Sequence, residues 1–170
     1  MVYLKTVFDD FCKFLDGKLP WSAAKYTDWT DTVLQFFSNL ASQHHLIEER
    51  EYMRIDCILR YVNETLQWHY IDLAVEHEQQ EPSIDKLVDE ETQHLIDVKA
   101  RNKIAIFYPN LGDEAELLRK IQDRIRNAQV RLDGEENYLI ITGYATRKAR
   151  KPAILLKGFF FKKDGLLDEK

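Results

Sequence analysis

Apolar positions recur at helical spacing as the chain begins. Between Val2 and Asp16, residues Leu4, Val7, Phe8, Phe11, Phe14 and Leu15 fall on one stripe, and Gly17 supplies a C-terminal stop. The spacing predicts a second helix from about 28 to 43. Asp28 or Thr30 would cap it, with Trp29, Val33, Phe36, Phe37 and Leu40 facing inward. The period then changes. Residues 50–61 and 66–78 are rich in β-branched and aromatic side chains, and only the polar break Val62-Asn63-Glu64-Thr65 lies between them. That pattern predicts two antiparallel strands with a tight connection.

Pro82 and Ser83 open a third helix with Ile84, Leu87, Val88, Leu95 and Val98 on its apolar face. Residues 103–108 form a nearly continuous apolar run, as expected of a central strand buried on both faces. A fourth helix follows at about 113–130. A strand at 138–144, a basic loop at 146–151 and a last strand at 153–162 come next, and the tail 164–170 should fray. The element order is ααββαβαββ. A run buried on both faces needs helices above and below it, so the expected fold is α/β, one mixed sheet flanked by helices. The strands at 66–78 and 103–108 bracket a helix and should run parallel.

A length of 170 residues fits one domain, with a core at about 28–162. Two distant cysteines, Cys12 and Cys57, give neither a disulfide framework nor zinc-ligand spacing. No apolar segment approaches the ~20 residues a membrane span needs. With no signal-peptide pattern at the N-terminus, the expected location is the cytoplasm. The net charge of −5 hides an asymmetry. Arg147, Lys148, Arg150, Lys151, Lys157, Lys162 and Lys163 are seven bases between Tyr144 and Lys163, with no acid among them. An acidic centre beside a basic margin suits a polyanion held by its backbone. A solvated surface hairpin would read the same way.

The candidate chemistry lies on the paired strands. Side chains alternate along a strand, so Asp72, Glu76 and Glu78 share one face while Ile71, Leu73, Val75 and His77 take the other. Glu76 and Glu78 are then roughly 6.5–7 Å apart. If Asp56 faces them from the neighbouring strand, three carboxylates converge, and a divalent cation is the simplest relief of their repulsion. The competing reading is a solvated edge strand guarded by glutamates. Glu48, Glu49 and Glu51 are candidate auxiliary acids. His94 reads as a surface residue of the third helix, and Phe159-Phe160-Phe161 as core or interface. No phosphate loop, dinucleotide fingerprint or nucleophile elbow is present.

A strand bearing Asp56, a following strand bearing Glu76-His77-Glu78, and then a helix and a central strand together resemble the PD-(D/E)xK nuclease superfamily. The resemblance covers roughly residues 30–145. It implies a restriction-endonuclease-like core in which Asp56 and Glu76 hold Mg²⁺ or Mn²⁺, with the His77 carbonyl completing the protein ligands. Two positions depart from the motif. Arg54-Ile55 stands where a proline usually precedes the aspartate, and Glu78 replaces the usual lysine. Lys86, one turn into the next helix, is the stand-in. The implied activity is metal-dependent hydrolysis of nucleic-acid phosphodiester bonds. DNA is expected rather than RNA, Arg147, Lys148, Arg150 and Lys151 would grip the backbone, and a homodimer follows by analogy. The alternatives are a catalytically silent nucleic-acid-binding module of the same fold, or a protein-interaction domain.

Overall fold

A computed structural model describes residues 3–16, 26–62, 69–79, 83–110, 112–128, 136–148, 151–162 and 165–169. Among them are α1 (Leu4–Leu15), α2 (Tyr26–Gln43), β1 (Ile47–Tyr52), β2 (Ile55–Val62) and β3 (His69–Glu78). A helical segment follows, made of α3 (Ile84–Lys86), a π-helical turn (Leu87–Thr92) and α4 (Gln93–Asp97). The chain continues through β4 (Ala100–Phe107), α5 (Glu114–Asn127), β5 (Asn137–Lys148), β6 (Lys151–Lys162) and β7 (Gly165–Glu169). The strands form one sheet in sequence order, β1 to β7. β1, β2 and β3 are antiparallel neighbours, β3, β4 and β5 are parallel, and β5, β6 and β7 are antiparallel again. The expected mixed α/β sheet is what forms, with residues 103–107 of the apolar run inside its central strand.

Strand alternation divides the core in two. Cys57, Leu59, Leu73, Val75, Ile104, Ile106, Leu139 and Ile141 face α1 and α2, whose aromatic stripe includes Phe8, Phe11, Phe36 and Phe37. Ile58, Ala74, Ala105, Phe107 and Ile140 face the other way, onto Leu87, Leu95, Leu117, Ile121 and Ile125 of the later helices. Phe11 and Phe37 are completely buried, and truncating either to Ala would cost about 3–5 kcal/mol. No helix among the described residues is long and apolar enough to cross a membrane.

Several boundaries differ from the expected ones for local reasons. α2 begins at Tyr26, which places Asp28 and Thr30 inside it. It ends with His45 left-handed at φ 55°, where glycine is usual, and the Leu46 N–H closes back on the Ala41 carbonyl at 2.9 Å. The expected strand 50–61 is two strands. Tyr52 pairs with Ile55 across Met53 and Arg54, whose φ values of 49° and 72° make a tight turn. Neither residue type signals such a turn. Residues 165–169, expected to fray, pair with β6 as an edge strand. The expected basic loop at 146–151 is mostly strand, since Arg147 pairs with Pro152 and Lys148 with Lys151.

Lys103 is the unexpected member of the core, fully buried on β4. Its Nζ donates to the Ile96 carbonyl, to Glu136 at 3.0 Å and to the Tyr138 hydroxyl at 3.2 Å. Burial pulls its pKa down and the Glu136 carboxylate opposes that pull.

Candidate metal centre

Glu76 stands near the carboxyl end of β3, the end at which parallel α/β sheets place their ligands. It is only 4% exposed. The β2–β3 register sets Cys57 opposite Val75, which brings Asp56 beside Glu76. Each carboxylate is tied to the other strand's backbone. Glu76 Oε2 accepts from the Asp56 N–H at 3.4 Å, and Asp56 Oδ2 accepts from the His77 N–H at 2.7 Å. The expected juxtaposition of Asp56 and Glu76 on neighbouring strands is present.

The remaining members of the cluster arrive from the helical segment. An α-helix advances about 100° per residue, so the wider π turn shifts the phase of everything after it. Leu87 and Val88 at the start of the π turn and Leu95 and Ile96 beyond it are all buried. Thr92 Oγ1 holds the wide turn by donating to the Leu87 carbonyl, five residues back, at 2.8 Å. Glu91 and His94, three residues apart on this segment, come to face Glu76. One ligand atom from each of Glu76, Glu91 and His94 lies within 4.8 Å of the other two. His94 Nδ1 is 3.7 Å from Glu76 Oε1 and 3.6 Å from Glu91 Oε2. Among the described residues that nitrogen is buried and has no hydrogen-bond partner.

Electrostatics mark the cluster as strained without a counter-charge. Burial, then a hydrogen bond with Glu91, then the charge of Asp56 push the Glu76 carboxyl far above the usual range. Two ionised carboxylates offer only acceptors, so their contact requires a shared proton or a cation. Burial raises Asp56 to about 6 against the pull of the His77 N–H, with Glu91, Glu78 and Glu51 adding repulsion. Two carboxylates and an imidazole nitrogen are a workable donor set for a divalent ion. The cluster of Glu76, Glu91 and His94 could hold a metal ion.

The other expected site residues are placed as follows. Glu78 is half-buried, two residues beyond Glu76 on the same strand. Lys86 is exposed on the first turn of the helical segment, where its N–H donates to Ser83 Oγ at 3.4 Å. The His77 imidazole lies on the opposite face of β3 from Glu76, with Nε2 3.2 Å from the Tyr108 hydroxyl. The indole N–H of Trp29 donates to the same hydroxyl at 3.0 Å. Burial lowers His77 to about 4, so the ring is neutral at physiological pH. Gly143 leaves room for this arrangement, because a Cβ there would sit 2.5 Å from the Tyr108 ring. Asp72 is buried, and its carbonyl accepts from Asn102 at 3.1 Å. Arg147 and Lys148 lie on β5 and Lys151 on β6. Their side chains, and all of Arg150, fall outside the described residues.

Sequence reasoning missed Glu91 and set His94 on the surface. His94 is in fact largely enclosed, its side chain 21% exposed. One signal was available, the i, i+3 spacing that puts Glu91 and His94 on one helix face. Which way that face points depends on the π turn, which carries no sequence signature. No protein-family model matches the chain, and no curated protein matches it.

Proposed function

We propose that this protein is a metal-dependent phosphodiesterase acting on nucleic acid, built on a restriction-endonuclease-like core. The observation that carries the reading is the buried Glu76 carboxylate, faced by Glu91 and His94 and neighboured by Asp56. Such a group is costly to ionise unless a cation joins it. Glu76, Glu91 and His94 would hold the ion, with Asp56 beside them and Mg²⁺ or Mn²⁺ as its identity. When bound, the ion would lower the pKa of a water and neutralise charge on a phosphate. Glu78, half-buried on the same strand, is suited to orient that water. Lys86 would stand in for the motif lysine. Arg147, Lys148, Arg150 and Lys151 would grip the phosphate backbone, DNA rather than RNA.

The test is a cleavage assay on single- and double-stranded DNA and RNA with Mg²⁺, Mn²⁺ or EDTA. Metal-dependent cleavage that is lost in Glu76→Gln and Asp56→Asn supports the reading. Salt-sensitive binding with no cleavage under any condition would make the protein a nucleic-acid-binding module instead.

A further inference from the structure

The donors that meet at Glu76 are not the set a dedicated Mg²⁺ site uses. Mg²⁺ takes oxygen ligands almost exclusively, usually one or two carboxylates with several waters. Here the third donor is an imidazole nitrogen, His94 Nδ1, 3.7 Å from one carboxylate oxygen and 3.6 Å from another. Among the described residues the nitrogen is enclosed and has no hydrogen-bond partner, and the two carboxylate oxygens beside it are too far for one. Imidazole binds divalent transition ions far more readily than it binds Mg²⁺. Its position is also built rather than incidental. The π turn, closed by Thr92 Oγ1 on the Leu87 carbonyl, sets the phase that carries Glu91 and His94 onto β3.

We propose that this centre selects Mn²⁺ over Mg²⁺, with His94 Nδ1 as the ligand that makes the distinction. The proposal rests on the metal-centre reading of the cluster but not on cleavage. Glu76 and Glu91 supply the charge that any divalent ion needs, whereas His94 supplies the softer donor that favours a transition ion. Removing the nitrogen while keeping a donor in the same place should therefore erase the preference and leave the affinity for Mg²⁺ little changed. Asn is the fitting replacement, because its amide oxygen reaches about as far as Nδ1 and is neutral.

The experiment needs no nucleic acid. Mn²⁺ binding to the full chain is followed by electron paramagnetic resonance, and Mg²⁺ is titrated in as competitor, for the wild type and for His94→Asn. The expected result is strong wild-type preference for Mn²⁺, reduced about tenfold or more in the variant. Nitrogen hyperfine coupling from the Mn²⁺ bound to wild-type protein gives a second readout that does not depend on the variant folding. Equal Mn²⁺:Mg²⁺ ratios in the two proteins, absence of nitrogen coupling, or no Mn²⁺ binding would each overturn the proposal. Cleavage with an unchanged ratio would sink the selectivity and keep the nuclease. Selective Mn²⁺ binding without cleavage would do the reverse.

Discussion

The Asp56 carboxylate accepts the backbone N–H of His77 at 2.7 Å, across from β2 to β3. One oxygen of the candidate catalytic aspartate thus fastens the end of the strand that carries Glu76. Structure and chemistry can be separated there. Asp56→Asn retains an oxygen acceptor for His77 and removes the charge, whereas Asp56→Ala removes both. Thermal unfolding in EDTA should show Asp56→Asn at or above the wild type. Asp56→Ala should be lower by about 1–3 kcal/mol, the cost of leaving a buried N–H unsatisfied. Cleavage should be lost in both. Equal stability of the two variants would mean the hydrogen bond does not hold the strand.

Glu76→Gln preserves the shape of the cluster and removes a carboxyl that must take up a proton as the chain folds at neutral pH, its pKa being raised far above the ordinary range. In metal-free buffer at neutral pH the variant should be more stable by about 1 kcal/mol, roughly 2–4 °C in a chain of this size. Added Mn²⁺ should raise the wild-type melting temperature and leave that of the variant unmoved. A wild type insensitive to metal in that scan would argue against a cation at this cluster.

The N-terminus of α5 is anchored by Glu114, which accepts from Lys157 Nζ at 2.6 Å, Thr142 Oγ1 at 2.7 Å and Tyr144 Oη at 2.9 Å. Burial pushes the Glu114 carboxyl up, but the three donors outweigh it and hold the pKa below the ordinary 4.5. A depressed carboxyl contributes stability that is present above 4.5 and is lost as pH falls through the folded-state value. Glu114→Gln should therefore flatten the acid limb of a stability–pH curve. Near neutrality it should cost on the order of 1 kcal/mol, as Lys157 is partly exposed. Parallel acid limbs for variant and wild type would show that Glu114 is not the linked group.

Arg147 and Lys148 lie on β5 and Lys151 on β6, and Arg150 stands between them in the sequence. Changing all four to Ala should leave the fold intact, since surface substitutions usually move stability by ~0.5 kcal/mol or less each. Nucleic-acid affinity should fall, and the slope of log affinity against log salt should flatten by about 0.9 for each phosphate that is no longer neutralised. Salt titrations monitored by fluorescence anisotropy would measure both. Unchanged slope and affinity would make this end of the hairpin a solvated surface.

What the sequence determined by itself is the set of elements with strong local periodicity and the pairing of Asp56 with Glu76. The 3.6-residue stripe of α1 reflects burial of one regular face, and the apolar run of β4 reflects burial of a strand on both faces. Strand alternation allowed Asp56 to face Glu76, and the register of β2 on β3 sets the two side by side. Three features were decided only in the tertiary structure. The Met53-Arg54 turn uses positive φ in residues that do not advertise it, held by the pairing of β1 with β2. Lys103 opens the 103–108 run as its one charged residue, and Glu136 and Tyr138, more than thirty residues on, join the Ile96 carbonyl in satisfying it within the core. Glu91 and His94 reach Glu76 through a π turn that rotates the rest of the helical segment. That phase shift is closed by the Thr92 hydroxyl on the Leu87 carbonyl and packs against the sheet, and a single threonine within a helical stripe does not announce it.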